Sequence, residues 1–177
     1  MKPILPPDLF FVRAAEGWLG LGDATEALAE LASVSPENRD HPMVLDAEWE
    51  ACAALRDWDS AHRCGEALVR LYPGLVAGWI HRSYATRRMQ GGGLAAALEA
   101  LRPAADLFPT ESMVSFNLAC YLAQMGAEEE AWGWYLEAVR RGDAVSVREA
   151  GLRDEDLRPI WPRIRRDQGE ARRGVPD

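Results

Sequence analysis

The stretch FNLACYLAQMGAEEEAWGWYLEAV, Phe116 to Val139, decides the fold. Large residues alternate in it with Ala119, Gly126, Ala131 and Ala138, at intervals that belong to helices and not to strands. Gly126 interrupts the pattern halfway, so the stretch reads as two helices joined by a tight turn. Helix axes come within about 8 Å of each other only where the crossing side chains are small, and the alanines supply that room. Leu118, Tyr121, Leu122 and Tyr135 then fill the space on either side.

Working outward, breaks fall at Gly22-Asp23, at Ser35 to Pro42, at Arg56-Asp57, at Pro73-Gly74, at Gly91 to Gly93, at Pro109-Thr110 and at Gly142-Asp143. They delimit about eight helices of ordinary length and predict an all-α chain. Asp23 with Glu26 fits a reciprocal capping box. The turns recur. Ala27 to Ala61 and Ala97 to Ala131 are each 34 residues apart, and Ala61 to Ala97 is 36, the extra two residues belonging to the triple-glycine turn. Pro73 and Pro109 each follow their alanine by twelve residues. A lone hairpin cannot cover its own apolar stripe, so such units have to stack.

This spacing resembles the tetratricopeptide repeat family, helix-turn-helix units of about 34 residues that stack into a right-handed superhelix. The fourth repeat carries the resemblance best, with Leu118, Ala119, Gly126, Ala131, Tyr135 and Ala138 at signature positions. The third follows through Trp79, Ala97, Leu101, Ala104 and Pro109. Trp49 departs from it, standing where the family favours a small residue, and the first repeat lacks its closing proline. These two repeats are expected to be the loosest. The expected organisation is one domain over 1–166, with repeats at about 8–36, 42–73, 75–109 and 111–142 and a capping segment at 144–166. Leu157, Ile160 and Trp161 form the lid's apolar face, against Trp132 or Trp134. A polar tail, 167–177, is expected to be disordered.

Composition excludes several classes of function. A net charge of −8 and a pI near 5.0 argue against generic binding to nucleic acid or to an anionic membrane surface. No segment reaches the roughly 18 apolar residues of a membrane span, and the prolines at 3, 6 and 7 break the apolar core of a signal peptide. A cytoplasmic protein is expected, and the scarcity of lysine, with Lys2 alone, fits a GC-rich genome; the resemblance of the C-terminal segment to the cap of bacterial tetratricopeptide proteins implies a bacterial source. Cys52, Cys64 and Cys120 are too scattered for a disulfide framework or a zinc knuckle and read as reduced, buried thiols. His41, His62 and His81 lack further ligands at a metal spacing. The triple glycine follows a helix and precedes no Lys-Ser/Thr, so it reads as a turn and not a phosphate cradle. Glu128 to Glu130 suit the positive end of a helix as a solvated first turn. With no nucleophile, base and orienting partner to nominate, no catalysis, cofactor or metal is expected. Trp18, Trp49, Trp58 and Trp79 read as core.

The resemblance implies that the first helix of each repeat lines a concave groove. The matching positions are Val12, Arg13 and Glu16; Asp46, Glu50 and Ala54; Ile80, His81, Tyr84, Arg87 and Arg88; and Phe116, Asn117, Cys120 and Gln124. Ile80, Tyr84 and Phe116 are the expected anchors for a partner's peptide or helix, with Glu50, Arg87 and Arg88 setting its orientation. The two arginines either fork onto a carboxylate or pair with Glu50 or Asp46. The clamp by which some relatives hold a chaperone's C-terminal carboxylate is not expected, because Val12 and Glu16 occupy its first-repeat places and only Asn117 matches. The implied function is a non-catalytic scaffold for a protein partner, as a monomer or weak homo-oligomer. The alternatives are a chaperone or targeting adaptor in a bacterial secretion or assembly pathway, and a self-associating structural subunit.

Overall fold

The computed structural model describes residues 3–173, with side chains over 3–167. The helices are α1 (Asp8–Gly20), α2 (Ala24–Leu31), α3 (Pro42–Ala54), α4 (Trp58–Leu71), α5 (Val76–Arg88), α6 (Leu94–Leu101), α7 (Ala104–Leu107), α8 (Ser112–Gln124), α9 (Glu128–Arg141), α10 (Ala144–Arg153) and α11 (Trp161–Arg173), with 3-10 turns at Pro36–Asn38 and Glu155–Ile160. No strand occurs among the described residues. The expected breaks fall between helices. The count exceeds eight partly because Pro103 splits the second helix of the third repeat into α6 and α7, as a ring without an N–H must inside a helix. The tail expected to be disordered from 167 begins inside α11, whose Arg, Glu and Ala favour helix; positions 174–177 lie outside the described residues.

Three of the four turns share one backbone motif. Gly22, Arg56 and Gly126 take φ of 82°, 59° and 79°, and the next residue's N–H reaches back to close the helix, Asp23 to the Trp18 carbonyl, Asp57 to Cys52 (both 2.9 Å) and Ala127 to Leu122 (3.0 Å). Left-handed residues of this kind satisfy the orphan carbonyls of a helix end. Asp23 Oδ1 caps α2 by accepting the Glu26 N–H at 3.1 Å. The reciprocal half of the expected capping box is displaced, because Asp23's own N–H is already given to Trp18. Asp57 caps α4 through the Ser60 N–H, and Asp143 caps α10 through that of Ser146.

The chain divides into two compact units, Met1–Ala100 and Leu101–Asp177. In the first, α1 packs on α2, α2 on α3, α3 on α4 and α4 on α5, while α1 also touches α3 and α3 touches α5. Each hairpin therefore covers the stripe its predecessor leaves open. Ala27, Ala61 and Ala97 are fully buried, as is Ala131 in the second unit. Between α4 and α5 the contact is closer still. A Cβ on Gly65 would stand 2.6 Å from the Cα and N of Arg82, and one on Gly78 would stand 2.8 Å from Leu68 Cβ.

The first repeat finds a substitute for its missing proline. Asp8, only 4% exposed, accepts from the Ser35 N–H at 3.0 Å, the Ser35 hydroxyl, and Asn38 Nδ2 at 2.6 Å. It ties the start of α1 to the irregular loop after α2. These hydrogen bonds, Asn38's first, hold the Asp8 carboxyl below its ordinary 3.8. A lowered folded-state value means the stabilisation is present above the unfolded value and disappears as pH falls through the folded one. Asp8→Asn is thus expected to lower the melting temperature at neutral pH and to shrink the difference from wild type below about pH 4, measured by thermal melts across pH.

In the second unit α8 packs on α9, and the 3-10 turn Glu155–Ile160 lies mainly on α8. Leu157, Ile160 and Ile164 are fully buried. Trp161 is half-buried and donates its indole N–H to the Gly151 carbonyl at 2.9 Å. The lid meets Tyr135 on α9: a Cβ on Gly151 would stand 2.8 Å from Tyr135 Cε2 and 3.3 Å from Ile164 Cδ1. Of the two candidate tryptophans, Trp132 stacks on Tyr135 at 5.4 Å and shares a surface cleft with Arg163, Arg166 and Asp167 of α11. Trp134 lines a different recess with Gly133, Glu137 and Arg141. The acidic run is not simply solvated, since Arg163 from α11 grips both oxygens of Glu129. Tyr135 is fully buried with no partner for its hydroxyl among the described residues, and burial, then Asp167, pushes its pKa up to about 12. Tyr135→Phe removes an unsatisfied polar group, so it is expected to leave stability unchanged or raise it by about 1 kcal/mol in urea unfolding.

Candidate functional site

The most structured surface of the first unit runs along α3 and α5. On α3, residues Met43, Asp46, Glu50 and Ala54 follow one another at three- and four-residue steps, and on α5 so do Ala77, His81, Tyr84 and Arg88; both sets share a helix face. The two rows are knitted at the middle. His81 Nε2 lies 2.7 Å from Asp46 Oδ1, and the His81 ring stacks on Trp49 with centroids 3.8 Å apart and planes 8° from parallel. Trp49 donates its indole N–H to the His81 carbonyl at 3.2 Å and meets Tyr84 edge-on at 5.9 Å. Trp58, at the start of α4, also meets Tyr84 at 5.9 Å.

Trp49 therefore resolves its own misfit. Too large for the small-residue position, it tilts towards α5 and becomes the bridge between adjacent repeats. Reading Trp49 and Trp58 as core is half right, because both are packed on a buried cluster around Cys52, Ala61 and Ala85 yet remain only partly buried. The misfit was read as a mark of a loose repeat; the stacking on His81 shows it filled instead.

Two clefts lie at the ends of the strip. One is lined by Ala53, Ala54, Arg56, Trp58, Tyr84 and Arg88, with a volume of about 560 Å³; the other, of about 270 Å³ and mostly apolar, includes Pro42, Met43, Leu75, Val76 and Ala77. Arg88 lies flat on Tyr84, its guanidinium carbon 3.5 Å from the ring centre, and 5.4 Å from that of Trp58. It donates to the Tyr84 carbonyl at 3.1 Å. Arg88 thus neither pairs with Glu50 nor with Asp46, whose partner is His81. Arg87 is half-buried and already partnered. Between the clefts Glu50 is exposed, and partial desolvation, then Asp46, pushes its carboxyl up, with His81 opposing. Ile80 is half-buried beside His81.

Other expected groove positions are placed differently. Val12 is fully buried in the core of the first unit, and Arg13 pairs with Glu16 at 2.9 Å. On α8, Phe116 and Asn117 are half-buried, and Asn117 donates to the Met113 carbonyl of its own helix at 2.8 Å. Cys120 and Gln124 are corrected from open lining to lid contacts. Cys120 is 3% exposed with its thiol 3.7 Å from Asp154 Oδ2, and Gln124 donates to the Asp156 carbonyl at 2.8 Å. The physical reason is that the lid's apolar residues need a surface, and α8 offers it. Cys120, Asp154 and Asp156 bring ligand-type atoms within 4.8 Å of one another, but Asp154 already accepts the Asp156 N–H at 2.9 Å and the thiol. The three buried cysteines are in no disulfide. A thiol–thiol hydrogen bond between Cys52 and Cys64 lowers the first and raises the second.

No protein-family model matches the chain, and no curated protein matches it. Among solved structures, a double mutant of MamA, described as MamA RS-1 ArsTM, is similar at 18% identity with a TM-score of 0.64, over 74% of this chain and 72% of that one. MamA is a tetratricopeptide-repeat protein. The fold here is of the tetratricopeptide kind. A second structure, MamA from residue 41 onward of Desulfovibrio magneticus RS-1, aligns at 17% identity over 78% of this chain and 97% of that one, with a TM-score of 0.40. No helix among the described residues is long and apolar enough to cross a membrane.

Proposed function

We propose that the protein is a non-catalytic interaction scaffold, and that the α3–α5 face receives a peptide segment of a protein partner. The observation that supports this is the strip from Met43 and Ala77 to Arg88. Its aromatic and charged side chains are held in place by one another yet stay partly exposed along its length. Stacked and hydrogen-bonded side chains lose little freedom on binding, which keeps the ordering cost of an interface low. Tyrosine, tryptophan and arginine are also the residues that most often dominate binding energy. Phe116 and Asn117 of α8 belong to the same proposal as lining in the second unit.

The test is photocrosslinking from inside the cell. A photoreactive phenylalanine analogue at position 84 is expected to yield a defined adduct with a partner protein, and one at Ala29, exposed on α2, is not. Equal yields of the same adducts from both positions would rule out the α3–α5 face. A second reading, weak association between copies, is favoured by Leu5, just before α1, and Phe10, in its first turn, which are 62% and 64% exposed. Light scattering across a hundredfold dilution separates them, since association between copies requires a mass that changes with concentration.

A further inference from the structure

Resting on the interaction reading, we infer that the α3–α5 strip selects an extended peptide that carries an apolar side chain and, about five residues away, a carboxylate, with no acidic residue between. Three features of the strip specify this pattern. The cleft by Met43, Leu75, Val76 and Ala77 is apolar except for Asp46 at its edge and suits an aliphatic anchor. The cleft at the other end presents Arg56 and Arg88 together with the edges of Trp58 and Tyr84.

Arg56 comes to that second cleft for a backbone reason. It occupies the left-handed turn position held by glycine in the first and fourth hairpins, with φ of 59°, and so projects its side chain beside the C-terminal ends of α3 and α5. Arg88 is laid on Tyr84, which orients its fork while spending one N–H on the Tyr84 carbonyl. No ion pair joins Arg56 or Arg88 to a carboxylate among the described residues. Two guanidinium groups facing one cleft in a chain of net charge −8 form a local site for an anion, and a fork geometry favours a carboxylate.

The middle of the strip has the opposite sign. Glu50 stands between the clefts, and Asp46, engaged by His81, lines the near edge of the apolar one. An acidic residue passing there is repelled, so the strip rejects uniformly acidic peptides as well as apolar ones, and the discrimination comes partly from repulsion. The spacing follows from helix geometry. Ala77 and Arg88 are eleven residues apart on α5, ~16 Å of rise, which an extended chain covers in about five residues.

The probe is a set of synthetic peptides in which one leucine and one aspartate are separated by one, three, four, five or eight Ser/Gly residues, with blocked termini. They are titrated into the full ¹⁵N-labelled chain, and the indole N–H signals of Trp49 and Trp58 are followed. Affinity is expected to peak at the four- and five-residue spacers and to fall about tenfold when the aspartate becomes asparagine. It is also expected to fall with Arg56→Ala and to fall as salt rises. Glu50→Gln is expected to let peptides with a central glutamate bind. Arg88→Lys keeps the charge and loses the fork, and it is expected to weaken binding while leaving the helical spectrum intact. Affinity independent of the spacer, or unchanged by both aspartate→asparagine and Arg56→Ala, overturns the inference. If a partner still crosslinks from position 84 in that event, the interaction reading stands and only the recognition pattern falls.

Discussion

Gly65→Ala is expected to destabilise the first unit by about 1–3 kcal/mol, although alanine is the better helix former. Gly65 is a buried residue in the middle of α4, where exchanging glycine for alanine in an open helix gains about 1 kcal/mol. Here the new methyl would meet the Cα and N of Arg82 at 2.6 Å. These are backbone atoms, so no side-chain rotation relieves the overlap, and α5 has to move away from α4 as a unit. That movement would loosen Leu68 against Gly78, where a second close approach pins the same pair of helices. The control is Gly133→Ala on α9, an exposed position with no neighbouring atom within 4 Å of the added carbon, expected to gain about 1 kcal/mol. Chemical denaturation of the two variants checks both signs at once. A gain in both would mean that α4 and α5 are held apart by more than the contact described.

The α4–α5 contact also shows what the sequence left hidden. Alanines at a 34-residue spacing pointed to the packing within hairpins, because both members of each crossing lie close in the chain and share a helical period. Gly65 and Gly78 govern packing between hairpins; their positions recur, as Leu31, Leu101 and Tyr135 and as Val44 and Val114, but glycine itself does not, so no repeated residue type singled them out. The same distinction explains the site. Tyr84, His81 and Arg88 were legible as one face of one helix. Their partners Asp46, Trp49, Arg56 and Trp58 come from other elements, and only the folded chain shows that His81 stacks on Trp49. Cys120 and Gln124 were misplaced for a related reason. The resemblance assigns them to the lining, but the segment that covers Cys120 and accepts a hydrogen bond from Gln124 lies about 30 residues further along the sequence. Asp8 bonds to Ser35 and Asn38 across a similar separation, which makes an irregular loop, read as a weakness, into an anchored one.

Ala131→Leu tests the reading that opened with Phe116 to Val139. Ala131 is fully exposed to neighbours and not to water: its relative accessibility is 0%, as is that of Ala119 on α8. Three added carbon atoms would have to enter a crossing where Leu118, Ala119 and Tyr135 are themselves fully buried. Overpacking of this kind costs about 1–3 kcal/mol and sometimes more, and the strain falls on the α8–α9 contact that the lid also uses. The expected signature is therefore twofold: a lower melting temperature, and earlier loss of protection at the amides of the Glu155–Ile160 turn, which rests on α8. Ala131→Gly provides the counterpart, since it removes only one methyl and its cost of about 1 kcal/mol comes from helix propensity, without the early exposure of the lid. Hydrogen exchange separates the two. A leucine accepted at position 131 with unchanged melting temperature and unchanged lid protection would mean that the helices do not meet at their alanines.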